Sequence, residues 1–174
     1  MNRLHLYHGR GKGKTTAGMG LALRCAGHGR RVLIAQFLKD GTSGELIALR
    51  ALPEAEIADA PQVAGFFTQM TAAEQARVRA ALTAFAEALA EKVAAEKPAM
   101  ILLDELAVAL TLGAVEEPAA RRLIDACLEA GETVITGGDA PAWLAERADY
   151  VTRMEPQRHP WATEQLPARE GVEY

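Results

Sequence analysis

The sequence predicts a three-layer α/β fold, with a mostly parallel central sheet and helices on both faces. Three features predict it. Short apolar runs alternate along the chain with longer segments of helical periodicity. Two of those runs, Val32-Leu33-Ile34-Ala35 and Met100-Ile101-Leu102-Leu103, are apolar at every position, the mark of strands buried on both faces. The first run, Arg3 to Tyr7, stops at a glycine-rich turn that opens a helix. With 174 residues, 49% of them hydrophobic, the chain suffices for one compact domain spanning 1–174.

The elements follow in order. A helix is expected from about Gly13 to Ala26, ended by Gly27 and Gly29. The strand from Val32 gives way to a loop over Gln36 to Gly44, a short helix from Glu45 to Leu52 and a brief strand at Glu56-Ile57-Ala58. The stretch from Pro61 to Met70 lacks periodicity. Thr71 and Glu74 form a capping box, in which each side chain satisfies a backbone N–H of the first turn. Val78, Leu82, Phe85, Leu89 and Val93 then make one apolar stripe, and Pro98 stops that helix. The strand from Met100 ends in Asp104-Glu105. Pro118 marks the first turn of a helix that buries Leu123, Ile124, Cys127 and Leu128. Thr133 to Thr136 reads as a strand, Asp139 as the cap of a helix through Pro141, Trp143 and Leu144, and Tyr150-Val151 as the start of a last strand. The tail, about 155–174, reads as irregular.

Composition narrows the function. A net charge of -4 without a dense basic stripe argues against sequence-independent nucleic-acid binding, which runs on phosphate neutralisation. No apolar run approaches the ~20 residues of a membrane-spanning helix. Cys25 and Cys127 sit in apolar helical patterns without metal-ligand spacing, so buried free thiols in a reducing compartment are expected. Together these predict a cytoplasmic protein.

The chemistry concentrates in two segments. Gly9-Arg10-Gly11-Lys12-Gly13-Lys14-Thr15-Thr16 has the composition of a P-loop. Its alternate glycines let successive N–H groups turn inward as an anion nest at a helix N-terminus. Lys14 adds a point charge for phosphate, and the Thr15 hydroxyl is placed to ligate Mg²⁺. Arg10 and Lys12 add positive charge. The usual pattern, G-x-x-x-x-G-K-S/T, needs glycine at position 8, where this chain has His8. The second segment is the strand ending in Asp104-Glu105. It places a carboxylate at the carboxyl edge of the sheet, where Asp104 can organise Mg²⁺ and Glu105, as the next Glu in many ATPases, can orient a water. The fold class expected is therefore P-loop NTPase-like.

The ordered set of motifs resembles the ATP:corrinoid adenosyltransferases of the P-loop type. Tyr7 to Ala17 is similar to that family's Tyr-Thr-Gly, Asn or Asp, Gly-Lys-Gly-Lys-Thr-Thr-Ala, which also lacks the leading glycine. Ala26 to Gly29, Gln36-Phe37-Leu38-Lys39, Gly44-Glu45, Gly65-Phe66, Leu103 to Leu106, Thr136-Gly137, Ala148-Asp149, His159-Pro160 and Gly171-Val172-Glu173-Tyr174 follow in order. The resemblance implies transfer of the 5′-deoxyadenosyl group of ATP to the cobalt(I) of a corrinoid, with triphosphate released. It implies ATP held in an orientation reversed from that of ordinary P-loop enzymes. It further implies Lys14, Asp104 and Glu105 as catalytic residues, and Thr15 with Asp104 at Mg²⁺. Phe66, Phe67, Gln36 and Lys39 would meet the corrinoid. A reductase or reduced flavoprotein would donate the electron, and the protein would be a homodimer.

Two departures stand out. Phe67-Thr68-Gln69 lacks a Trp that the family often has, and Gly138-Asp139 replaces an Arg after Thr136-Gly137. The second change removes a cation and adds a carboxylate. Two other readings stay open from the residues: a small P-loop kinase or NTPase, and a non-catalytic ATP- or corrinoid-binding relative.

Overall fold

The computed structural model describes residues 1–172. Of the C-terminal Gly171 to Tyr174 motif, Glu173 and Tyr174 lie outside the described residues. Six strands form one parallel sheet: β1 (Leu4–His8), β2 (Val32–Gln36), β3 (Ala55–Ile57), β4 (Met100–Asp104), β5 (Glu132–Thr136) and β6 (Tyr150–Arg153). Their spatial order is β3-β2-β4-β5-β1-β6, and every pairing is parallel. The helices are α1 (Lys14–Gly27), α2 (Gly44–Leu49), α3 (Ala72–Glu96), α4 (Leu106–Thr111), α5 (Glu117–Ala130), α6 (Ala142–Arg147) and α7 (Pro160–Glu164).

The period of two along each strand explains the three layers. Leu33, Ala35, Ile101, Leu103 and Ile135 join a core shared with Leu82, Leu89 and Val93 of α3 and Leu123, Ile124 and Cys127 of α5. Their neighbours Val32, Ile34, Leu102 and Val134 face the other way, onto Met19, Ala22 and Ala26 of α1 and Leu46 and Leu49 of α2. Strands covered on both faces must be apolar throughout, and β4 is buried at all five positions. α1 lies close to β4, because a Cβ at Gly18 would come within 2.9 Å of Leu102 Cδ1. The capping box of α3 forms as expected: the Thr71 hydroxyl accepts from the Glu74 N–H, and the Glu74 carboxylate accepts from the Thr71 N–H. Cys127 is buried and Cys25 half-buried, and neither forms a disulfide. No helix among the described residues is long and apolar enough to cross a membrane.

Two expectations need correction, and one helix was not expected. Asp139 does not cap α6. Pro141 holds that position with no side-chain hydrogen bond, since the proline ring sets the turn and leaves Asp139 two residues outside it. The tail is not wholly irregular: α7 forms at Pro160, where the His159 side chain accepts from the Trp161 N–H. And α4 follows β4 at once. Leu106 to Thr111 continues the apolar run of the strand, so periodicity offers no boundary. The boundary is a backbone turn, with Glu105 in the left-handed region at φ 62.

Candidate active site

The site forms where the strands end. Gly9 and Gly13 take φ 101 and 106, conformations closed to most L-residues, and so fold the β1–α1 loop back on itself. A side chain at Gly9 would also collide with the backbone after β6, since its Cβ would lie 2.5 Å from Met154 O. Backbone hydrogen bonds fasten the loop there. Gly9 N–H donates to Gly138 O at 2.6 Å, Gly11 N–H to Met154 O at 2.7 Å, and Met154 N–H to His8 O at 2.8 Å. The nest therefore differs from the expectation that all its N–H groups turn inward, because those of Gly9 and Gly11 anchor the loop to neighbouring strand ends. The anion-binding capacity lies with the first turn of α1, at Lys14, Thr15 and Thr16, whose N–H groups have no carbonyl four residues back within the helix. Lys14 curls over the loop and donates to Gly11 O at 2.7 Å.

Asp104 is the hub. One strand, β5, separates its strand from β1. The carboxylate is wholly buried and accepts from four side chains. On Oδ1 these are the Thr15 hydroxyl at 2.9 Å and the Thr136 hydroxyl at 2.6 Å. On Oδ2 they are the Gln36 amide at 3.0 Å and the Lys39 ammonium at 2.7 Å. Lys39 Nζ also donates to Thr15 Oγ1 at 3.1 Å. Thr136, at the end of β5, joins this cluster although the sequence pattern assigns it no role of its own. Its hydroxyl also accepts from Glu105 N–H at 2.9 Å, so it holds both acidic residues at once. The signal available was a polar residue ending an apolar strand, which has no specificity on its own.

A cavity of about 460 Å³ opens over this hub. Lys14, Thr15, Lys39, Glu105 and Phe66 are among the residues that line it. The two adjacent phenylalanines part company: Phe66 is 73% exposed on the cavity, whereas Phe67 is 6% exposed and packs into the core. Gln36 lies behind Asp104, its amide shared with Ser43 Oγ at 3.1 Å. Burial, and next the charge of Asp104, raise the Glu105 carboxyl above its ordinary range, with Lys39 and Lys14 partly opposing. Arg10 and His8 face a separate hollow of about 430 Å³ beside Asp139 and Arg153. Lys12 reaches the tail, donating to Val172 O at 2.7 Å.

A glycine-rich loop opening a helix at Lys14-Thr15, with the Thr15 hydroxyl on a strand-end aspartate, defines a P-loop nucleotide-binding protein of the α/β class. The family model of the ATP:corrinoid adenosyltransferases BtuR/CobO/CobP matches residues 1–174, and the chain belongs to that family. It is 33% identical over 174 residues to a corrinoid adenosyltransferase of Pseudomonas aeruginosa, covering 98% of this chain and 83% of that one. The corresponding enzyme of a Sinorhizobium species is 34% identical over 172 residues, covering 95% and 77%. That of Escherichia coli K12 is 29% identical over 171 residues, covering 97% and 84%. Domain III of the Thermotoga maritima replication initiation protein DnaA aligns with a TM-score of 0.41 and 13% identity, covering 97% of this chain and 65% of that one.

Proposed function

We propose that this protein transfers the 5′-deoxyadenosyl group of ATP to the cobalt(I) of a corrinoid and releases triphosphate. The observation that carries the reading is one cavity lined by the phosphate loop, Glu105 and an exposed aromatic, Phe66. The cobalt(I) electron pair attacks C5′ of the ribose, and the C5′–O bond breaks with its electrons leaving on the triphosphate. Charge thus develops on the leaving group. The first-turn N–H groups of α1 would meet that charge in a fixed arrangement with little reorganisation, and the Lys14 ammonium would turn to it from Gly11 O. Phe66 offers the corrinoid an apolar face. Lys39 lines the same cavity, and Gln36 is buried beside Asp104.

Mg²⁺ suits the donors present. Thr15 and Asp104 offer hard oxygens, and the Lys39 ammonium stands in for a cation between them. Among the described residues no cluster of three or more His, Cys, Asp or Glu gathers as a metal cage, which fits an ion that keeps phosphate and water among its ligands. When bound, the ion would neutralise the leaving triphosphate. The protein would work as one nucleotide-binding domain, in the cytoplasm, as a homodimer, with a reductase or reduced flavoprotein supplying the electron that makes cobalt(I).

The test mixes protein, MgATP and a chemically reduced corrinoid and follows the cobalt absorption spectrum. A light-sensitive Co–C product with stoichiometric triphosphate is expected. ADP and phosphate without an adenosylated corrinoid would refute the reading and favour a kinase or NTPase.

A further inference from the structure

The ammonium of Lys39 sits where a metal ion would. It contacts the same two residues, Asp104 at 2.7 Å and Thr15 at 3.1 Å, that are suited to hold a divalent cation. Of the four side chains on the Asp104 carboxylate, only Lys39 carries charge; the others are two hydroxyls and an amide. A wholly buried carboxylate needs such a partner. Lys39 itself is not locked in. Its side chain is 24% exposed and borders the open cavity, so its ammonium can swing outward while its stem stays in place. The residue before it, Leu38, adopts φ 51, a left-handed conformation that a bulky residue takes only under constraint.

We propose that Lys39 is a displaceable counter-ion that excludes divalent cations from the Thr15–Asp104 position until a nucleotide carries one in. The proposal rests on the Mg²⁺ reading above. The argument is one of charge balance in a poorly solvated place. A bare divalent ion meets a carboxylate already neutralised. If Lys39 stays, two cations crowd one carboxylate; if Lys39 leaves, the ion must repay the lost ammonium contact and still brings net positive charge into the interior. An ion carried on triphosphate arrives with more negative charge than it neutralises. The displaced ammonium then has anionic oxygens to meet in the same cavity. Lys39 thereby couples metal and nucleotide, and by linkage each strengthens the other by the same factor. A lysine that merely neutralised Asp104 for stability would produce no such coupling.

The experiment titrates Mn²⁺, an EPR-visible substitute for Mg²⁺, into wild type, Lys39→Met and Lys39→Arg, with and without ATP. Wild type with ATP should show a protein-immobilised Mn²⁺ signal; its absence there refutes the metal reading itself. Without nucleotide, wild type and Lys39→Arg should bind Mn²⁺ weakly, because both keep the cation. Lys39→Met should bind it at least tenfold more tightly, and Asp104→Asn in that background should abolish the gain. Equal nucleotide-free Mn²⁺ affinity in wild type and Lys39→Met, with the ATP-dependent signal present, overturns the proposal. If Lys39→Met is unfolded by circular dichroism, the titration is read on Lys39→Gln, whose amide keeps a hydrogen bond to Asp104 without the charge.

Discussion

Replacing Thr136 with valine removes one oxygen and almost no volume, yet it should be costly. The side chain is wholly buried. Its hydroxyl donates to Asp104 Oδ1 at 2.6 Å and accepts from the Glu105 N–H at 2.9 Å. A hydrogen bond to a charged group contributes about 1.5–3 kcal/mol, and a buried N–H left without an acceptor costs about 1–3 kcal/mol more. Added, the two ranges span about 2.5–6 kcal/mol, and the middle of that span, about 3–5 kcal/mol, is the expected loss. For a domain of this size that corresponds to a fall in Tm of roughly 6–20 °C. Urea unfolding should show a lower midpoint at an unchanged slope, since the exposed surface on unfolding is the same. MgATP affinity should fall as well, because Asp104 loses one of its anchors. Thr136→Ser keeps the hydroxyl and drops only a methyl, so it should lose about 1 kcal/mol. If valine melts within about 2 °C of wild type, or if serine is as damaging as valine, Thr136 does not hold the acidic pair and the reasoning fails.

Three further outcomes follow from the same geometry. Glu105→Gln should raise Tm near neutral pH, because a carboxyl raised by burial favours folding below its unfolded pKa and loses that favour as pH rises through the folded value. The gain should vanish in acid below the unfolded carboxylate range, as melting curves across pH would show, while adenosyl transfer is lost. Phe66→Ala should leave Tm unchanged and weaken corrinoid affinity in a spectral titration, whereas Phe67→Ala should cost about 3–5 kcal/mol of stability, since it opens a cavity in the core. Gly9→Ala should lose ATP binding by calorimetry and destabilise the fold by roughly 1–3 kcal/mol, because φ 101 and the approach to Met154 O exclude a Cβ.

The sequence by itself determined whatever rests on neighbours in the chain. The glycines at 9 and 13, Lys14 and Thr15 mark a phosphate loop by local pattern alone, although the bonds that fasten it come from the ends of β5 and β6. The strands β2 and β4 were legible because burial on both faces leaves an unbroken apolar run. The α3 stripe and its capping box are likewise local, carried by one helical period. Elsewhere local patterns were silent or misleading. α4 was hidden in the apolar run after β4, and only the left-handed turn at Glu105 separates the two. Phe66 and Phe67 are chemically identical neighbours, and the course of the backbone alone decides that one faces the cavity and the other the core. Tertiary structure decided the surroundings of Asp104. Thr15, Gln36, Lys39 and Thr136 reach its two oxygens from three other loops and strand ends, brought together by the order in which parallel strands pack. A carboxylate recognised in the sequence as a metal ligand is, in the folded chain, already paired with an ammonium. The physical reason is that charge cannot be buried alone, and which cation satisfies it depends on packing that no local pattern records.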